Sequence, residues 1–184
     1  GDMIEERYVL EIIDEVTQRL WEKDASKAET FYQEAHRILH GIEMEAAGKG
    51  KLLPGVERAL TFLRRKGVRV GIVTRNCEEA VRKVFPEIAH YCDVFFSRDS
   101  VKKVKPHPDH LTAVLEAFSV RGSDAVMVGD HLIDIHAGKK VKMKTIGVLT
   151  GRIIREEFEK AGADYVLRDA SEICGLLAAG EWND

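Results

Sequence analysis

The first fifty residues have the hydrophobic spacing of amphipathic helices. Between residues 4 and 21, apolar side chains recur at intervals of three and four, with charged residues between them. A second helix is predicted to begin near Ser26, whose hydroxyl can cap it, with Glu29 three residues later as in a capping box. It would end in the glycine-containing segment 47–50. The pattern predicts a small helical domain over residues 1–52 that could serve as a lid or cap.

From Pro54 onward, short apolar runs alternate with helical patterns. The apolar runs predict buried strands at 68–73, 94–96, 125–128, 145–149 and 165–167. Helices are predicted around them at 54–66, 77–85, 108–118, 132–140, 153–161 and 170–179. Strands separated by helices of about ten residues indicate a parallel sheet with helices on both faces. We therefore expect residues 53–184 to form an α/β, three-layer Rossmann-like core.

Composition and charge exclude several classes of protein. The chain has 184 residues, of which 45% are hydrophobic and 32% charged, as in ordinary globular domains. Its net charge of −3 argues against nucleic acid as the main partner, because binding phosphates needs a basic excess. No apolar run is long enough to span a membrane. The first residues lack the apolar core of a signal peptide, and three widely spaced cysteines suggest reduced thiols. We expect a cytoplasmic protein, a monomer or a homodimer.

Three polar clusters lie next to the predicted strands, where an open parallel sheet forms its ligand crevice. Thr74-Arg75-Asn76 follows the first strand, Lys105-Pro106-His107-Pro108 precedes a helix, and Gly129-Asp130 to Asp134 follows the third strand. A threonine hydroxyl and free amides can hold anionic oxygens, and a lysine can neutralise phosphate. Two aspartates four residues apart can face one Mg²⁺ ion, directly or through water. These clusters therefore predict a phosphate and magnesium site.

In this order the clusters resemble motifs II, III and IV of the haloacid dehalogenase superfamily of phosphotransferases. Motif II is a strand ending in Thr or Ser, motif III a lysine often followed by Pro-x-Pro, and motif IV Gly-Asp-x-x-x-Asp. The segments 53–56, 145–151 and 162–167 are similar to the family's entry into its core and its closing strands. The helical segment before Pro54 resembles the C1 cap of the phosphoglycolate phosphatase-like branch.

The resemblance implies a Mg²⁺-dependent phosphatase acting on a small phosphorylated metabolite, with phosphoglycolate as a candidate. Asp130 and Asp134 would hold Mg²⁺, Lys105 would neutralise an aspartyl-phosphate, and Thr74 would hydrogen-bond a phosphoryl oxygen. Arg75 and Asn76 would contribute to binding phosphate or substrate. A phosphomutase and a haloacid dehalogenase are alternatives within the family, and a catalytically inactive binding or regulatory module is the alternative outside enzymes.

The family's motif I, an Asp-x-Asp that supplies the nucleophile and the general acid/base, does not occur before Pro54. Asp2 has neither a preceding strand nor an aspartate two residues later, so no nucleophile is assigned. In the family, motif I lies on a strand between those carrying motifs II and IV. Removing that strand leaves a gap of about 10 Å and unpaired backbone groups on both neighbours. We therefore expect roughly 10–20 further N-terminal residues in the native protein, the length of a strand and its loop.

Ordinary structural roles compete with several of these assignments. Asp130 could cap the following helix, Asp134 could complement its dipole, and Lys105 lies in a lysine-rich loop. His36 and His40 have a chelating spacing but no evident third ligand, which favours a plain helix surface. Other residues near the motifs are interpreted as loop, helix-start or outer-sphere residues: Cys77, His107, His110 and His131.

Overall fold

The computed structural model describes residues 8–179, which form two compact units dividing between Lys49 and Gly50. The helices are α1 (Val9–Trp21), α2 (Ala25–Lys49), α3 (Val56–Arg65), α4 (Glu78–Val84), α5 (Ile88–Tyr91), α6 (Asp109–Phe118), α7 (Leu132–Lys140), α8 (Arg155–Lys160) and α9 (Ile173–Ala179). The strands are β1 (Gly71–Val73), β2 (Val94–Phe96), β3 (Val126–Gly129), β4 (Lys144–Val148) and β5 (Tyr165–Leu167). None of the helices in this part of the chain is long and apolar enough to cross a membrane.

The first unit is a pair of packed helices, α1 and α2, joined by a short turn. Leu10 and Ile13 form the buried face of α1, as the hydrophobic spacing predicts. The start of α2 differs from the prediction, because the Asp24 carboxylate accepts a hydrogen bond from the amide of Lys27 and caps the helix. Ser26 lies inside the helix, so the expected capping box is wrong. The predicted features at residues 4–7 and 182–184 lie outside the described residues.

The described part of the second unit, residues 50–179, contains five parallel strands in two separate ladders. β1 pairs with β2, with Ile72 opposite Phe95. β3, β4 and β5 pair in that order, with Met127 opposite Thr145 and Gly147 opposite Val166. All pairings are parallel, which confirms the predicted α/β fold class.

Helices cover both faces of the strands and join the two ladders. Because side chains alternate along a strand, Met127 of β3 faces one side while Val126 and Val128 face the other. Met127 packs with Leu111 and Leu115 of α6, and Val73 of β1 packs against the same cluster. On the opposite face, Leu63 of α3 packs against both the β1–β2 ladder and the β3–β5 ladder. The core is therefore continuous above and below the strands, in three layers.

Between β1 and β3 the sheet is interrupted. These two strands are not hydrogen-bonded to each other, and no strand among residues 8–179 lies between them. The Val70 oxygen accepts from the amides of Asp93 and Val94, and the Thr74 amide donates to the Phe96 oxygen, so Val70 and Thr74 face β2. Because backbone groups alternate in direction along a strand, those of Gly71 and Val73 face away from β2. Gly71 is correspondingly exposed, although it lies in the middle layer. The motifs predict a gap at this place, and the structure shows that β1 and β3 are unpaired among the described residues.

Candidate active site

The sequence-predicted residues collect at the carboxyl ends of β1 and β3. Thr74 directly follows β1, and Asp130 directly follows β3. Lys105 lies in the loop that leads into α6, and Asp134 lies in the first turn of α7. In a parallel sheet these ends share one edge, so the elements bring the polar groups together beside the gap.

Lys105 is a buried cation that connects the two sides of the gap. It is only 6% exposed. Its Nζ donates to Asp134 Oδ1 at 2.7 Å and to the main-chain oxygen of Val73 at 3.1 Å. The Val73 oxygen is one of the backbone groups that β2 leaves unpaired. One ammonium group therefore satisfies a strand edge on the β1 side and a carboxylate on the β3 side.

The Asp134 side chain is buried and hydrogen-bonded, like the lysine that it faces. It is 7% exposed, and its Oδ2 accepts a hydrogen bond from the His131 amide at 3.3 Å. Its two oxygens therefore serve the helix start and Lys105 at the same time. Such a charge pair needs this degree of hydrogen bonding to offset the loss of water around both groups.

Gly129 leaves the space that the Asp134 carboxylate occupies. A Cβ at position 129 would lie 2.1 Å from Oδ2 of Asp134, which is far inside van der Waals contact. Because Lys105 and the His131 amide fix that carboxylate, it has no free direction in which to move. The close approach, rather than an unusual φ angle, therefore requires glycine here.

We expect Gly129→Ala to lower the free energy of unfolding by about 1–3 kcal/mol, the usual cost of overpacking a filled site. Urea denaturation followed by circular dichroism measures the change. Gly175→Ala is the matched control, because no atom lies within 4 Å of a Cβ placed there. A destabilisation of Gly129→Ala no larger than that of the control would contradict the proposed crowding.

Asp130 differs from Asp134 in having an exposed carboxylate. Across residues 8–179 nothing donates a hydrogen bond to that carboxylate or pairs with it as an ion. The loop after β4 lies against it, since a Cβ at Gly151 would be 2.8 Å from the Asp130 main-chain oxygen and 3.0 Å from Oδ2. An open carboxylate at a strand end is a plausible direct ligand for a hard cation.

The carboxylates at this site suit Mg²⁺ better than a metal ion that is coordinated by protein side chains alone. Within the described part of the chain, no three histidine, cysteine, aspartate or glutamate side chains are grouped closely enough to hold a metal ion. Mg²⁺ commonly takes one or two carboxylates, keeps several waters and contacts a substrate phosphate. Asp130 provides one such carboxylate, while Asp134 is already engaged by Lys105.

The Thr74 loop presents a hydroxyl and a half-buried arginine at the end of β1. The Thr74 amide donates to the Phe96 oxygen at 3.0 Å, and Thr74 Oγ1 accepts from the Asn76 amide at 3.2 Å. Because Oγ1 is the acceptor in that bond, its proton remains available to donate. Arg75 is half-buried, whereas Asn76 is exposed and its main-chain oxygen accepts from the Arg98 amide.

His110 is a buried residue whose contacts the sequence pattern did not reveal. It is 0% exposed in the first turn of α6 and contacts the backbone of both Lys105 and Phe96. Burial, followed by the nearby charge of Lys105, lowers its pKa from 6.5 to about 4. A histidine directly after Pro-x-Pro-Asp gives no periodic or motif signal, so only the packing of α6 against β2 identifies it.

The remaining candidates have local contacts. His131 Nδ1 accepts from the Ile133 amide and caps α7, and His107 Nδ1 lies 3.1 Å from Asp109. The His36 ring lies 4.2 Å from the ring of Tyr32 on α2. Cys77 is buried at the start of α4.

Comparisons with known proteins identify the family of the chain. The family model described as haloacid dehalogenase-like hydrolase matches residues 3–148. A phosphoglycolate phosphatase of Nitrosococcus oceani is 28% identical over 82% of this chain and 68% of its own length. Pyrophosphatase PpaX of Bacillus mycoides is 32% identical over 84% of this chain and 72% of its own length. A hydrolase structure from Pseudomonas syringae superposes with a TM-score of 0.74 at 19% identity, covering 93% of this chain and 78% of that one. The name of the relative from Nitrosococcus oceani agrees with the expected phosphoric monoester hydrolase, and the chain belongs to the haloacid dehalogenase-like hydrolase family, in its phosphoglycolate phosphatase-like branch.

Proposed function

We propose that the protein is a Mg²⁺-dependent phosphatase that hydrolyses a small phosphomonoester through an aspartyl-phosphate. The observation that carries this proposal is the buried Lys105 ammonium, held at the strand ends between Asp134 and the Val73 oxygen. A fixed cation at that edge can neutralise the charge that develops on a phosphoryl oxygen during transfer. The open carboxylate of Asp130 lies after the strand on the other side of the gap.

The proposed roles follow from the hydrogen-bond donors that Lys105 and Thr74 retain. Lys105 binds a phosphoryl oxygen with its third proton, since Asp134 and Val73 take the other two. Thr74 donates its hydroxyl proton to a second oxygen. Arg75 and Asn76 border the substrate, and their loop sets which groups can approach the phosphate.

Asp130 would hold Mg²⁺ directly, and Asp134 would act on the ion only through water while it positions Lys105. The metal, when bound, supplies charge neutralisation at the phosphate. These different roles are supported by the exposure of the Asp130 carboxylate and by the buried ion pair that Asp134 forms with Lys105.

The attacking carboxylate would come from a strand that fills the gap between β1 and β3. The unpaired side of β1 and the exposed Gly71 support this placement, because a parallel strand there would satisfy the free backbone groups. None of the described residues provides such a strand. We infer that the strand carries the family's Asp-x-Asp. N-terminal sequencing and intact mass of the protein from its natural source test this inference.

The substrate would be a small phosphorylated metabolite such as phosphoglycolate, in line with the name of the relative from Nitrosococcus oceani. The rival functions differ in measurable ways. A phosphomutase would return the phosphoryl group to its substrate without releasing phosphate, and a dehalogenase would not require Mg²⁺. An inactive binding module would bind phosphate without turnover. The cap role of the helical unit at residues 8–49 stays a prediction.

We expect Asp130→Asn to lower kcat/KM for phosphate release by about 100-fold or more, the size of effect seen when a main electrostatic group is removed. Phosphate release from phosphoglycolate and p-nitrophenyl phosphate is measured with Mg²⁺ and after chelation, on the native protein that carries the inferred strand. Glu116→Gln, an exposed carboxylate on α6, is the control and should leave the rate unchanged. Turnover that survives both chelation and Asp130→Asn would overturn the proposal.

A further inference from the structure

The oxygen of Phe96, at the end of β2, receives two hydrogen bonds that lead to different residues of the candidate site. The amide of Thr74 donates to it at 3.0 Å, and His110 Nε2 lies 3.3 Å from it. His110 Nδ1 in turn lies 3.4 Å from the amide of Lys105. The imidazole ring therefore links the Lys105 backbone to the same oxygen that anchors Thr74.

The two contacts fix the tautomer of His110. A carbonyl oxygen can only accept, so Nε2 must carry the proton that it donates to Phe96. The Lys105 amide can only donate, so Nδ1 must be unprotonated to receive it. The neutral ring satisfies both partners at once, whereas an imidazolium would lose the bond to Lys105.

The surroundings favour that neutral form. His110 is 0% exposed, and both Lys105 and Arg75 place positive charge near it. Burial and these two charges keep its pKa at about 4, well below neutral pH. The acceptor atom at Nδ1 is therefore present throughout the pH range in which the family's chemistry is expected.

We propose that His110 is a positioning residue that fixes the main chain of Lys105, so that the ammonium meets the phosphoryl group that the Thr74 hydroxyl also contacts. The inference rests on the proposed function of Lys105 and Thr74 as phosphate contacts. His110 itself does not contact the phosphate. It acts through the main-chain amide of Lys105, while its bond to the Phe96 oxygen holds the ring and its tautomer in place.

Two amide substitutions separate the two bonds of the ring. The amide oxygen of His110→Asn can replace Nδ1 and accept from the Lys105 amide, but it cannot reach the Phe96 oxygen. The amide nitrogen of His110→Gln can replace Nε2 and donate to Phe96, but it leaves the Lys105 amide without its acceptor. His110→Leu removes both bonds at similar volume.

The experiment measures the affinity of each variant for inorganic phosphate by isothermal titration calorimetry, with turnover as a second readout. We expect His110→Gln and His110→Leu to weaken phosphate binding about 5- to 10-fold, the equivalent of one lost hydrogen bond. His110→Asn should stay within about twofold of the native protein, because it keeps the link to Lys105. The amide signal of Lys105 in ¹⁵N NMR spectra should shift in the first two variants and much less in the third.

A purely structural role gives a different pattern. Equal losses in all three variants that follow their melting temperatures would overturn the proposal, as would native phosphate affinity in His110→Gln. Failure of the proposed function is distinguishable, because the native protein would then bind phosphate without releasing it from any ester. In that case the order of phosphate affinities among the three variants still decides the role of His110.

Discussion

Asp134→Ala is expected to lower the free energy of unfolding by about 3–5 kcal/mol, the usual cost of removing one partner from a buried ion pair. Lys105 Nζ lies 2.7 Å from Asp134 Oδ1, and both side chains are more than nine-tenths buried. Without the carboxylate, the ammonium keeps only the Val73 oxygen as a partner and stays out of water. The His131 amide also loses its acceptor at the start of α7. Urea unfolding followed by circular dichroism measures the loss.

Two further variants separate the buried charge from the rest of the change. Arg121→Ala removes an ion pair with Asp124 in the same unit, but that pair is exposed. It should cost less than about 1 kcal/mol. The double variant Lys105→Met, Asp134→Leu removes both charges and should regain much of the stability lost by Asp134→Ala, because no unpaired charge remains buried. If Asp134→Ala is as stable as Arg121→Ala, the ion pair between Lys105 and Asp134 is not desolvated.

The sequence predicted the order of elements well because most strands contain a short apolar run bounded by polar or glycine residues. β5 was predicted at 165–167 and α7 at 132–140, and both have those bounds in the structure. Gly67 ends the helix before β1 in a left-handed conformation (φ 76°), as expected for a residue without a side chain. Shorter features were missed, including α5 and the 3-10 helix at Arg98–Ser100, because segments of three or four residues give no periodic signal.

The sequence alone could not predict which residue caps a helix or which charged side chains form a pair. Asp24 and Ser26 are both good caps two residues apart, and only the packed helix shows that Asp24 is used. The motif contains both Asp130 and Asp134, but their environments differ. Asp130 is exposed, whereas Asp134 forms a buried ion pair with Lys105. That difference depends on the path of the Lys105 loop, which comes from a segment 25 or more residues earlier in the chain.

The interruption of the sheet explains why Lys105 has a structural role as well as a proposed chemical one. The two ladders are joined by side chains, through Leu63 on one face and the cluster around Leu111 on the other. At the strand ends, the polar connection among the described residues is made by Lys105 between Val73 and Asp134. Substitutions of this lysine should therefore affect stability together with phosphate binding.

The stability of the protein is expected to fall by about 3 kcal/mol between neutral pH and pH 4 through His110 alone. The pKa of His110 is about 4 in the folded protein, against an ordinary value of 6.5. Well above pH 6.5 the ring is neutral in both the folded and the unfolded state, so it contributes almost no pH dependence there. As the pH falls from 6.5 towards 4, the His110 ring binds a proton in the unfolded chain but not in the folded protein, which favours unfolding. Each pKa unit of difference is worth 1.36 kcal/mol, and most of the full effect, about 3 kcal/mol, is reached by pH 4.

The carboxylates of the protein also titrate in this range, so the native protein is compared with His110→Gln at each pH. Glutamine cannot take up the proton, and the carboxylates contribute almost equally to both proteins. The free-energy difference between the native protein and His110→Gln, measured by urea unfolding, should therefore move by about 3 kcal/mol in favour of the variant between pH 7 and pH 4. His136→Gln, which replaces an exposed histidine of α7, is the matched control. A constant difference for His110→Gln would contradict the lowered pKa of the buried ring.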